Sequence, residues 1–100
     1  MGLRKDIRDL LTKRGLKVTP QRLRIFEAIY QLNNHPTAEQ IITFIRKKDT
    51  NIGSGTVYNV LDTLVQNGLI KKVKTEKDVM RYQLELYEGV YHTLEQLQKK

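Results

Sequence analysis

Residues 54–68 read SGTVYNVLDTLVQNG. Val57, Val60, Leu61, Leu64 and Val65 recur in this run at i, i+3, i+4, i+7 and i+8, the spacing that lines one face of an α-helix with apolar side chains. Ser54 offers a hydroxyl suited to capping the start of that helix, and Asn67-Gly68 supplies a stop. The stripe leaves Gly55, Thr56, Tyr58, Asn59, Asp62, Thr63 and Gln66 facing outward. Immediately afterwards the period changes. Leu69 to Lys74 is short and partly β-branched, Thr75 to Asp78 is a polar turn, and Met80, Tyr82, Leu84 and Leu86 then alternate with Arg81, Gln83 and Glu85. Period two with one polar face predicts a β-hairpin packed on one side.

Working back toward the N-terminus, Thr37-Ala38-Glu39-Gln40 has the form of a capping box, opening a helix with Ala38, Ile41, Ile42 and Ile45 on its core face. Asn33 to Pro36 reads as a loop before it, and Asp49 to Gly53 as a short connection after it. Thr19-Pro20 places a cap oxygen and a first-turn proline ahead of a helix that runs to about Leu32 and buries Leu23, Phe26, Ile29 and Tyr30. Leu3, Ile7, Leu10 and Leu11 give one more helix, closed by Gly15. The expected fold is mostly α with a small β-hairpin: a winged helix-turn-helix over residues 1–86, preceded by an extra helix. Residues 87–100 form a tail in which Val90, Leu94 and Leu97 predict a short amphipathic helix suited to self-association.

One hundred residues suffice for one compact domain and are too few for two ordinary ones. Lys and Arg outnumber Asp and Glu by 18 to 11, for a formal charge of +7, so an anionic partner is expected. The charge is clustered. Arg4, Lys5, Arg8, Lys13, Arg14, Lys17, Arg22 and Arg24 face only Asp6 and Asp9 in the first segment, and Lys71, Lys72, Lys74, Lys77 and Arg81 gather in the hairpin. No run approaches the about 18 apolar residues of a membrane span, and no apolar signal core follows the N-terminal charges, so a cytoplasmic protein is expected. The chain has no cysteine, which excludes disulfides, thiolate chemistry and cysteine-ligated zinc. Two isolated histidines, no phosphate-cradling glycine loop and no placed carboxylate pair leave no enzymatic reaction to assemble.

In a helix-turn-helix the second helix of the pair enters the major groove and reads base edges from its N-terminal part. Here that helix starts at Ser54. Gly55 allows close backbone approach, Ser54 and Thr56 are short donors near the positive end of the helix dipole, and Asn59 can pair with adenine. The Tyr58 ring can meet thymine methyl groups while its hydroxyl reaches a phosphate or base edge. Lys72 stands for the wing lysines as a phosphate contact. The alternatives are that Tyr58 packs on a neighbouring element, and that the winged helix binds another protein rather than double-stranded DNA.

From about residue 10 to residue 83 the chain resembles the DNA-binding domain of the ferric uptake regulator family, especially its peroxide-responsive branch. The resemblance rests on Gly15 to Arg22, on His35-Pro36-Thr37-Ala38, on Gly55 to Leu61, and on Gly68-Leu69-Ile70 leading to Arg81-Tyr82. It implies a dimeric repressor on an AT-rich palindrome, with Tyr58 in the major groove, Lys17 in the adjacent minor groove and Arg22 on phosphate. Asn59 matches the peroxide-responsive branch. The resemblance also implies a second, metal-sensing dimerisation domain, which is not recognisable here. His35 matches a position that supplies a metal ligand in that branch, but Gln83 stands where the family has an aspartate. The paired histidines that should follow are reduced to His92. The expectation is therefore no metal or other cofactor, His35 as a loop residue, and a natural short form with its own C-terminal helix; the alternative is a fragment of a longer regulator, whose missing sensor domain would hold the regulatory metal.

Overall fold

A computed structural model describes residues 2–33, 35–75 and 77–84. The order is α1 (Gly2–Lys13), α2 (Pro20–Leu32), α3 (Ala38–Arg46), α4 (Ser54–Gln66), β1 (Ile70–Lys74) and β2 (Met80–Leu84). The strands pair antiparallel in a two-stranded sheet. This is the winged helix expected from the patterning. Leu86 and the tail at 87–100, with its proposed self-association helix, lie outside the described residues.

Each helix starts and stops for a local reason. The Leu16 N–H donates to the Leu11 carbonyl (2.9 Å) and the Gly15 N–H to that of Thr12 (3.0 Å), ending α1. That closing turn requires the left-handed backbone seen at Gly15, φ +74°. The same geometry recurs after α4. There the Leu69 N–H reaches the Leu64 carbonyl (3.0 Å) and the Gly68 N–H that of Val65 (3.1 Å). Arg14 adds a long-range clamp, donating from Nη1 to the Asn67 carbonyl at 2.9 Å. Thr19 caps α2 by accepting the Arg22 N–H at 3.1 Å, with Pro20 in the first turn. Thr37 and Gln40 form the complete capping box of α3, with bonds of 2.9 and 3.1 Å.

Ser54 does not cap α4. The N-cap is Gly53, extended at φ −83° and ψ 149°, with no side-chain hydrogen bond, and Ser54 is the first helical residue. The reason lies upstream. Ile52 is buried, and the Arg46 Nε and Nη2 both donate to its carbonyl at 3.3 Å. Val57 then closes the first turn on the Gly53 carbonyl at 3.3 Å.

The core forms between the helices and the base of the hairpin. Ile7, Leu11, Ile25, Phe26, Ile41, Val57, Leu61, Leu64 and Leu69 are fully buried, each large aliphatic side chain among them contributing about 1.5–3 kcal/mol. α2 is the central element, packing against α1, α3, α4 and β2. It therefore buries Ile25 and Ala28 in addition to the one-face set Leu23, Phe26, Ile29 and Tyr30. The hairpin meets the core only at its base: Ile70 and Tyr82 are buried and Leu84 is half-buried. Met80, expected on the packed face, is 43 % exposed, because the strands run outward past the helices. The Tyr82 N–H donates to the Pro36 carbonyl at 2.9 Å, tying β2 to the loop before α3.

Candidate nucleic-acid interface

Full burial of Val57, Leu61 and Leu64 fixes the rotation of α4, and the helical period then turns Ser54, Gly55, Thr56, Tyr58 and Asn59 to the surface, where all are exposed. Tyr58 is 43 % exposed. A Cβ added at Gly55 would meet nothing within 4 Å, so the fold itself does not require glycine in this first turn. The missing side-chain cap leaves first-turn N–H groups free to donate to an outside partner, at the positive end of the helix dipole. Ser54, Thr56 and Asn59 make no side-chain hydrogen bond among the described residues, whereas the Thr63 hydroxyl turns back onto the Asn59 carbonyl at 3.0 Å. Thr63, expected outward, is half-buried. The Asn67 Nδ2 in turn donates to the Thr63 carbonyl at 2.8 Å.

Lys17 and Arg22 are brought together at the entry to α2. The Arg22 Nη1 donates to the Lys17 carbonyl at 2.7 Å, so one guanidinium N–H holds the loop and its other donors remain for a ligand. Lys17 itself is exposed. On the wing, Lys72 is exposed and pairs across the hairpin with buried Tyr82. The Tyr82 hydroxyl is held above the ordinary phenol pKa, first by burial and then by the Asp62 carboxylate and the Tyr58 phenol. β2, which carries this tyrosine, packs against α2 and α3, while β1 packs against α4. Tyr82 and Asp62 were not among the residues singled out from sequence as part of the site. The alternation that predicted a packed Tyr82 carried no information about which helix it would meet.

His35 sits at φ +54°, a left-handed conformation, and its carbonyl accepts from the Arg81 Nη1 at 2.9 Å. With Tyr30, Asn33, Tyr82 and Gln83 it lines a cavity of about 270 Å³. Among the described residues the donors there are one imidazole, two amides and two phenols, without a carboxylate. Transition-metal sites are built from several imidazole, thiolate or carboxylate ligands, and this set does not fit one. Among the described residues no group of three or more His, Cys, Asp or Glu is placed to hold a metal ion. Also among the described residues, no helix is long and apolar enough to cross a membrane.

Residues 13–98 match the model of the Ferric uptake regulator family, so the match continues past residue 83, where the recognised motifs stop. The ferric uptake regulation protein of Helicobacter pylori is 31 % identical over 88 residues, covering 88 % of this chain and 59 % of that protein. The peroxide operon regulator of Bacillus subtilis is 35 % identical over 69 residues, covering 69 % and 48 %. Among solved structures, the Helicobacter pylori ferric uptake regulator, described as having three functional metal binding sites, superposes with a TM-score of 0.70 at 30 % identity over 87 % of this chain and 58 % of its own. A zinc-bound manganese uptake regulator gives 0.75 at 27 % identity, over 82 % and 62 %. The chain thus spans about half to three-fifths of the length of the curated relatives it matches.

Proposed function

This chain belongs to the ferric uptake regulator family, and from that membership we propose that it is a sequence-specific, double-stranded DNA-binding transcriptional regulator: a cytoplasmic repressor that reads an AT-rich palindrome as a homodimer. The reading rests most heavily on α4. A helix anchored by Val57 and Leu61 presents Tyr58, 43 % exposed, beside an uncapped first turn and a glycine with open space around it. The uncapped turn and the glycine answer no need visible in the isolated fold, and all three features suit close approach to a duplex.

In the proposed complex Tyr58 lies against base edges and thymine methyl groups in the major groove, and Asn59 pairs with adenine. Ser54, Thr56 and the amides around Gly55 hold the phosphate at the groove edge. Lys17 enters the neighbouring minor groove while Arg22, bonded to the Lys17 carbonyl at 2.7 Å, meets phosphate. Lys72 neutralises phosphate from the wing. Binding without a metal is part of the proposal, because the donors around His35 among the described residues do not make a site for one.

Selection of bound sequences from a random duplex pool tests this directly. The expected result is an AT-rich palindrome whose half-sites are one or more helical turns apart. Failure to enrich any sequence, with binding that does not weaken as salt rises, would instead favour a protein-binding winged helix.

A further inference from the structure

The wing lysines look equivalent in the sequence, but the hairpin register divides them. Opposed residues in an antiparallel pair share a face. Ile70 with Leu84, Lys72 with Tyr82 and Lys74 with Met80 therefore lie on one side, and Lys71 with Gln83 and Val73 with Arg81 on the other. Burial of Ile70 and Tyr82 turns the first side toward the helices. β1 packs against α4, and β2 against α2 and α3. Lys72, across from Tyr82, and Lys74 with Met80 one pleat further out, thus stand on the side of the wing that faces the helices, on or opposite the strand that packs against α4.

What these residues lack is also informative. Met80 and Tyr58 are the two exposed large apolar side chains among the described residues. Lys72 has no acidic partner among the described residues, and Lys74 has only Asp78 at 3.4 Å, both highly exposed. Such a pair contributes little and is readily displaced. On the opposite side Arg81 is already bonded to the His35 carbonyl.

We propose that the wing is two-sided: its Lys72–Lys74–Met80 side lies on the sugar-phosphate backbone beside the groove that α4 enters, and its Lys71 side makes no contact with DNA. The proposal rests on the DNA-binding function above and deepens it. Lys72 and Lys74 each neutralise a phosphate, and Met80 packs its thioether chain on the sugar between them.

The test measures binding of the full chain to its selected duplex as a function of salt. Loss of one phosphate contact reduces the slope of log affinity against log salt by about one. Lys72→Ala and Lys74→Ala should each show that reduction, and Lys71→Ala should keep the slope of the unchanged chain. Met80→Ser should weaken binding several-fold at an unchanged slope, because an apolar contact releases no counterion. Lys→Gln versions of the three lysine variants should repeat the pattern, and thermal melts should confirm that all are folded. Equal slope reductions for Lys71→Ala and Lys72→Ala would overturn the two-sided wing while leaving DNA binding intact. Absence of salt-dependent binding by the unchanged chain would overturn the DNA-binding reading itself and this proposal with it.

Discussion

Gly55 occupies a first-turn position of α4 where a methyl group would touch nothing in the fold, so glycine there costs helix stability without relieving any clash. Gly55→Ala should raise the unfolding free energy by roughly 0.5–1 kcal/mol while weakening specific DNA binding, as a thermal melt and a binding titration on the same sample would show. Equal affinity for the two proteins would mean that no backbone or phosphate approaches this turn. Tyr58 is tested by its selectivity. If its ring meets bases, Tyr58→Ala should cost about 1–3 kcal/mol on the preferred duplex and much less on random DNA. Tyr58→Phe should lose only the hydroxyl's share. Equal losses on both kinds of DNA by folded Tyr58→Ala would remove α4 as the reader. The exposure of Tyr58 was legible in the sequence because it falls between core positions Val57 and Leu61. The bond from the Tyr82 N–H to the Pro36 carbonyl was not, since those residues lie on different elements and no period links them.

Two hydroxyls at helix starts make a contrast at the scale of the elements. Thr37 accepts the Gln40 N–H at 3.1 Å in a complete capping box, and Thr37→Ala should destabilise the protein by about 1 kcal/mol in a denaturant titration. Ser54 caps nothing, because the N-cap is Gly53. Ser54→Ala should leave stability within about 0.5 kcal/mol, so any loss of DNA affinity would report a lost contact rather than a loosened helix. A large destabilisation by Ser54→Ala would show that the hydroxyl supports the fold after all. The caps at Thr19 and Thr37 and the glycine stops were readable because capping is decided within a few residues. The start of α4 was not. It depends on buried Ile52 and on Arg46 gripping the Ile52 carbonyl, contacts that set the chain's direction before the cap is reached.

At the scale of the whole molecule, the donors around His35 among the described residues lead us to predict metal-independent binding. Affinity for the selected duplex should be the same with a chelator, with manganese or with zinc, and its abolition by the chelator would restore a metal to the mechanism. Self-association is predicted for residues 87–100 from Val90, Leu94 and Leu97. Sedimentation should find a dimer for the full chain and a monomer for a chain ending at Leu86, and monomers at high concentration in both cases would sink the idea. Taken alone, the sequence determined the number, order and ends of most elements and one buried stripe for each helix, because capping, left-handed glycine turns and side-chain period all act over short stretches of chain. Tertiary structure decided the rest. It buried Ile25 and Ala28 by placing α2 among four neighbours, left Met80 exposed by carrying the hairpin beyond the core, and joined Arg81 to His35 and Arg14 to Asn67. It also turned the Ile70 and Tyr82 side of the hairpin, which carries Lys72, toward the helices. A local period names the face an element will bury, but the partner that covers it, and where that cover stops, are set by residues far away along the chain.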